Sequence, residues 1–318
     1  MKIFRLKMLK YLSFILLFYT VSIQAAELKI MTTFLPVYSW AANVAGDKAQ
    51  VECLLDGKSE PHEFQLTPSD IRKLNKADVV FGIGLELESW LEAIEENGVL
   101  RKEVKVINLG ELLDKKYLIK MVHDDVEEKH ESKEDHAHEH SHHHHGVYDP
   151  HIWLDPVLAK ECLSIIADQL SQLDTENAKI YKSNAEKYGE VLEKLDKDLS
   201  LSLEKIQLKP FYVQHDAFAY FNKRYHLNCA GVLQEVPDAD ISPRHLMKLM
   251  KKIREDKVVA IMVPSKAETR LVQRVAKDGN LKIGHLETLE VQDETGLDKD
   301  AYERMIRSNL KELINSLK

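Results

Sequence analysis

The stretch DTENAKIYKSNAEKYGEVLEKLDKDLSLSLEKI, residues 174–206, decides the fold. It holds no proline and none of the alternation that a half-buried strand needs. Ile180, Tyr181, Asn184, Tyr188, Leu192 and Leu195 recur at helical spacing. The spacing predicts a single helix of roughly 30 residues, about 45 Å long at 1.5 Å per residue. That exceeds an ordinary globular helix, so it is expected to connect two lobes.

Strands and helices alternate on both sides of this stretch. Upstream, ELKIMTTF (27–34), AQVECLL (49–55), DVVFGIG (78–84) and VKVINL (104–109) read as strands. Between them lie a helix from Pro36 to the stop at Gly46, a helix over 67–77 capped by Thr67 with Pro68 behind it, and a helix over 86–98 ending at Gly98. Downstream, PFYVQH (210–215), LNCAGVL (227–233), VVAIMVP (258–264) and LKIGHLE (281–287) are strands. Helices separate them at 217–225, 242–256 and 267–279, and one over 299–317 closes the chain. Strand–helix alternation implies parallel α/β sheets. The expected fold is α/β: two (β/α) lobes with parallel sheets, joined by one long linking helix, over 27–173, 174–207 and 208–318.

Residues 1–26 stand apart. Lys2, Arg5, Lys7 and Lys10 precede an apolar run, YLSFILLFYTVSI, and then QAAE. This is the plan of a secretory signal peptide, cleaved near Ala25 or Ala26. The run is short for a bilayer span, and no cysteine stands at the cleavage site to carry a lipid. A periplasmic protein that is not membrane-embedded in its mature form is expected, acting as a monomer. The formal net charge is −8 at pH 7, and removal of the basic leader makes it more negative. An acidic surface disfavours nucleic acid and favours cations. Cys53, Cys162 and Cys229 are far apart, odd in number and set among apolar neighbours, so they read as buried thiols rather than a disulfide framework.

From about His123 to Gly146 the chain is almost wholly His, Asp, Glu, Lys and Ser. Such a composition buries too little to fold. Its core, HAHEHSHHHHG, places His136, His138, His140, His142, His143, His144 and His145 close together. A flexible tract does not fix a coordination geometry, so these histidines are expected to form weak, exchanging metal sites rather than the main one.

The main site is sought where strands and loops hand over to helices, the edge at which open α/β sheets bind ligands. His62 lies past the second strand, His151 in YDPHIWLDP before a helix, and His215 at the end of PFYVQH. Two belong to the first lobe and one to the second, so a ligand common to all three lies in the interlobe cleft. Neutral imidazole suits Zn2+, and four-coordinate zinc needs a further donor. Glu287, at the end of the last strand and on the same side as His285, is the candidate carboxylate. Asp155 and Asp216, following His151 and His215, suit helix capping or the orientation of imidazoles. His226 and His245 read as solvated.

MTTFLPVYSWAANVAGD, SEPHEFQLTPSDIRKLNKADVVFGIGLELESWLE, DPHIWLDP and HDAFAYF together resemble the zinc-binding solute-binding proteins of bacterial ABC transporters, the ZnuA type. The resemblance spans essentially the whole mature chain. It implies two lobes, one rigid linking helix, and a metal in the cleft held by His62, His151 and His215. Manganese-binding relatives usually carry a carboxylate where this chain has His215, so the histidine argues for zinc. Where the family commonly has an aspartate this chain has Glu287, and Val263 and Pro264 also depart from the pattern. The disulfide of some zinc-type relatives is excluded, since the second lobe has only Cys229.

The function implied is capture of Zn2+ and delivery to an ABC transporter membrane permease. Three imidazoles and a carboxylate leave no substrate position on the metal, whereas a catalytic zinc keeps one open. No G-x-S-x-G, H-E-x-x-H or P-loop is present, and GIGLELE puts Leu87 at the third glycine position of G-x-G-x-x-G. An enzyme is therefore not expected. An exported zinc hydrolase, and an adhesin or zinc-storage protein on the same fold, are the alternatives.

Overall fold

The computed structural model describes residues 27–55, 57, 59–62, 64–121, 147–233, 242–265, 269–291 and 296–318. The first lobe is built on β1 (Leu28–Thr32), β2 (Ala49–Cys53), β3 (Val79–Gly82) and β4 (Lys105–Asn108), all parallel, in the order β2-β1-β3-β4. The second uses β5 (Phe211–Val213), β6 (Cys229–Val232), β7 (Ala260–Val263) and β8 (Lys282–His285), also parallel, in the equivalent order β6-β5-β7-β8.

The helices of the first lobe are α1 (Leu35–Ala45), α2 (Pro68–Leu74), α3 (Ser89–Glu96) and α4 (Pro156–Leu173). At α2 the Thr67 side chain accepts from the Asp70 amide while Asp70 accepts from the Thr67 amide, a reciprocal cap that starts the helix. The third helix begins at Ser89 rather than at Glu86. Leu85 and Glu86 have positive φ, 56° and 66°, which a helix does not accommodate.

The long helix, α5 (Ala178–Leu203), is continued by a 3-10 turn over Glu204–Ile206. It starts later than its sequence periodicity suggests. The Asp174 carboxylate gathers the amide and side-chain N–H groups of Asn177 and the Tyr181 hydroxyl. That knot makes 174–177 a turn, from which α5 runs back along α4. Nor is α5 a bare tether. It buries Tyr181, Ala185, Tyr188, Leu192, Leu195, Leu199 and Leu203 and packs on α1 and α4. It also packs on two second-lobe helices, α6 (Ala219–Tyr225) and α9 (Ala301–Leu317). Ile180, expected on its apolar stripe, is exposed.

The two lobes share one core. Phe211 and Val213 of β5, with Ala260 and Met262 of β7, face the same apolar cluster as the first lobe's sheet. The alternate residues Tyr212, Ile261 and Val263 turn to the outer face, under α7 (Pro243–Glu255) and α8 (Arg270–Gly279). At the lobe junction Trp153 stands edge-on to Phe34, with centroids 4.9 Å apart, and its indole N–H donates to the Thr288 carbonyl at 2.7 Å. The Tyr302 hydroxyl donates to the Trp153 carbonyl, also at 2.7 Å. No disulfide forms among the described residues: Cys162 is buried, and Cys53 and Cys229 are half-buried.

Candidate metal centre

Every residue of the cleft cluster lies in a segment that follows a strand's C-terminal end or leads into a helix. His62 lies in the loop after β2, where the Trp90 indole N–H donates to the Pro61 carbonyl at 3.1 Å. His151 precedes the 3-10 turn Ile152–Leu154 that leads into α4. His215 follows β5, and Glu290 follows β8. First-lobe and second-lobe side chains thus meet across the cleft.

Their donor atoms all lie within 4.8 Å of one another. His62 Nε2 is 3.3 Å from His151 Nε2 and 3.3 Å from Glu290 Oε1, and His151 Nε2 is 3.7 Å from the same oxygen. Around a tetrahedral zinc with bonds of about 2.0–2.1 Å, donor atoms stand about 3.3–3.5 Å apart. The three separations given, 3.3, 3.3 and 3.7 Å, are close to that spacing. Glu290 Oε1 and His215 Nδ1 are buried and lack a hydrogen bond, a state that ligand binding at the cleft would relieve.

The charges are arranged for a cation. Burial alone would lower the His151 pKa, but the Asp149 carboxylate and then Glu290 overcome it and raise the value to about 10. Asp149 Oδ1 contacts His151 Nδ1 at 2.7 Å and accepts from the His151 amide at 2.9 Å, which leaves Nε2 directed at the cluster. His215 is lowered to about 4 by burial. Burial would raise the Glu290 carboxyl, yet the His151 and His62 imidazoles facing it at 3.7 and 3.3 Å hold it well below the ordinary range. Without metal, a proton on His151 therefore offsets the buried carboxylates.

A family model described as ZnuA, zinc-uptake complex component A, periplasmic, matches residues 30–316. The chain belongs to the ZnuA family. It is 31% identical over 292 residues to the high-affinity zinc uptake system protein ZnuA of Bacillus subtilis, which covers 92% of this chain and 88% of that one. It is 30% identical over 289 residues to the zinc-binding protein AdcA of Streptococcus pyogenes, covering 90% of this chain but only 55% of AdcA. The chain thus spans about half the length of the AdcA proteins it matches. A Zn(II)-bound AdcAII variant of Streptococcus pneumoniae has the same fold, with a TM-score of 0.75 at 29% identity, covering 92% of this chain and 99% of that one.

In this ZnuA-family chain the structure brings His62, His151 and His215 together and does not bring Glu287 to them. The carboxylate among them is Glu290. The Asn309 side chain of α9 clasps the Glu287 peptide, accepting its N–H at 2.9 Å and donating to its carbonyl at 2.8 Å. The Glu287 carboxylate accepts the Ser265 amide at 2.8 Å instead. β8 ends at His285, so strand alternation no longer governs position 287. Leu289, with φ of 66°, turns the chain and delivers Glu290 inward. Sequence reasoning also missed Asp149, though an aspartate two residues before a histidine in DPH was a readable signal. Asp155 caps α4, accepting the Val157 amide at 2.9 Å. The seven histidines of the tract from His136 to His145 lie outside the described residues.

Proposed function

We propose that this chain captures Zn2+ in its interlobe cleft on His62, His151, His215 and Glu290 and delivers it to an ABC-type membrane permease for zinc uptake. The observation that carries the reading is the donor spacing, 3.3 Å between imidazole nitrogens and between imidazole and carboxylate, in a cluster contributed by both lobes. Three nitrogens and one oxygen suit zinc better than the all-oxygen shells of magnesium or calcium. A full set of four protein donors leaves no open position, which fits holding and release rather than hydrolysis. The family description and the names of the relatives support the same cargo.

The protein acts in the periplasm as a monomer after loss of its leader. The leader lies outside the described residues, and no helix among those described is long and apolar enough to cross a membrane. Histidines 136, 138, 140 and 142–145 serve as weak auxiliary sites that collect metal.

Titration of the mature chain against a chromophoric chelator tests the reading. One tight zinc per chain is expected, lost in His62→Ala and kept when residues 123–146 are deleted. Tight binding that survives His62→Ala and disappears with the deletion refutes the assignment.

A further inference from the structure

His151 and His215 come from different lobes, yet their ring centroids stand only 5.3 Å apart. Something must set that spacing. The candidate is α6, the short helix that follows His215 and packs against the turn Ile152–Leu154 beside His151. Tyr220 and Arg224 are one turn apart on it and share a face.

Tyr220 enters a small ladder in the first lobe. Lys120 and Tyr148 form an antiparallel bridge, flanked by Met121 N–H to Val147 O at 3.1 Å and Asp149 N–H to Ile119 O at 2.9 Å. In a regular antiparallel pair, Ile119 and Asp149 would exchange both of their hydrogen bonds. Here only one is direct. The Tyr220 hydroxyl occupies the place of the other, accepting the Ile119 amide at 3.0 Å and donating to the Asp149 carbonyl at 2.8 Å. A second-lobe side chain thereby completes a first-lobe rung, on the residue whose carboxylate orients His151.

Arg224 grips the far end of the same segment. Its Nε lies 3.0 Å from each Asp155 oxygen, and a terminal nitrogen lies 2.9 Å from Oδ2. Asp155 is buried and caps α4, so this fork holds a fixed point of the first lobe. The two grips bracket His151, at Asp149 and at Asp155.

We propose that Tyr220 and Arg224 are positioning residues for the metal centre: a two-point clamp that sets His151 opposite His215 and loosens when the metal leaves. The proposal rests on the reading of the cleft as a metal site. An interaction that is equal in the loaded and empty forms changes fold stability and leaves affinity alone. One that is stronger in the loaded form changes affinity by the difference.

The test compares wild type, Tyr220→Phe and Arg224→Lys in the full mature chain. Zinc dissociation is followed by chelator chase, and thermal melts are run with and without zinc. Cobalt is substituted to record the ligand-field spectrum. Tyr220→Phe keeps the ring and removes one hydroxyl, with dissociation expected about tenfold faster, the size of one to two net hydrogen bonds. The melting temperature should fall more in the loaded form than in the empty one, while the cobalt spectrum keeps four-coordinate intensity because no ligand is lost. Arg224→Lys retains charge without the fork and is expected to shift in the same direction. If it fails to fold, Tyr220→Phe alone decides. Equal loss of melting temperature in both forms with unchanged dissociation overturns the clamp. A wild-type chain that holds no tight zinc overturns the metal reading, and the clamp with it.

Discussion

Replacing Glu290 with glutamine separates two opposed effects that the geometry puts on one side chain. The variant keeps the shape and removes the negative charge facing the imidazoles. Loss of a buried charged partner typically costs 2–5 kcal/mol, and about 3 kcal/mol is taken here. Glu290 also helps to hold a proton on His151, whose pKa is raised to about 10. At about 1.4 kcal/mol per unit, removing that proton at pH 7 costs the wild type about 4 kcal/mol. Asp149 is the larger contributor to the rise and Glu290 the smaller, so the substitution relieves no more than about 2 kcal/mol of proton competition. The net weakening at pH 7 is then about 1 kcal/mol, roughly fivefold in Kd. By pH 9 the wild type has less competition left to relieve, and the defect widens to about 20-fold. Competition titrations against a zinc chelator at pH 7 and pH 9, with wild type and variant side by side, read these ratios directly. Glu287→Gln, which alters a carboxylate bonded to the Ser265 amide, should change Kd less than about twofold. A defect that stays constant or narrows with rising pH refutes the charge argument. Equal effects of the two glutamine variants refute the choice of Glu290.

Three further outcomes follow from the same structure. Zinc binding near pH 7.5 should release about one proton from His151, seen as a binding heat that depends on the buffer's ionisation enthalpy; a buffer-independent heat contradicts a protonated His151. The metal-free fold should lose stability on both sides of neutrality. His215, lowered to about 4, contributes stability that is present above pH 6.5 and falls as pH drops towards 4. His151, raised to about 10, contributes stability that is complete below pH 6.5 and is lost as pH rises through 10. Each limb has a slope of up to about 1.4 kcal/mol per pH unit, and urea melts across pH 4–10 would expose a flat profile if the assignment fails. Gly84→Ala should destabilise by about 2–4 kcal/mol, because φ is +71° and the new Cβ would meet Asn108 Cβ at 2.6 Å. Gly98→Ala, also at positive φ but with nothing within 4 Å, should cost only about 1–2 kcal/mol; equal losses in denaturant melts would show that the contact with Asn108 is immaterial.

Much of the architecture was legible along the chain. Apolar runs bounded by turn residues mark the strands, and the proline-free stretch before residue 206, with apolar residues at helical spacing, marks a long helix, because periodicity reports which face of an element is buried. Strand-to-helix edges picked out His62, His151 and His215 by position, helped by a family resemblance. The structure decided the rest through partners distant in sequence. Asp174 gathers Asn177 and Tyr181 and so delays the start of α5. Asn309, 22 residues on in α9, clasps the Glu287 peptide, and the positive φ at Leu289 turns Glu290 into the cleft. Local propensity decides what a segment becomes. Which of two carboxylates three residues apart faces a site depends on the backbone turn between them, and tertiary contacts hold that turn.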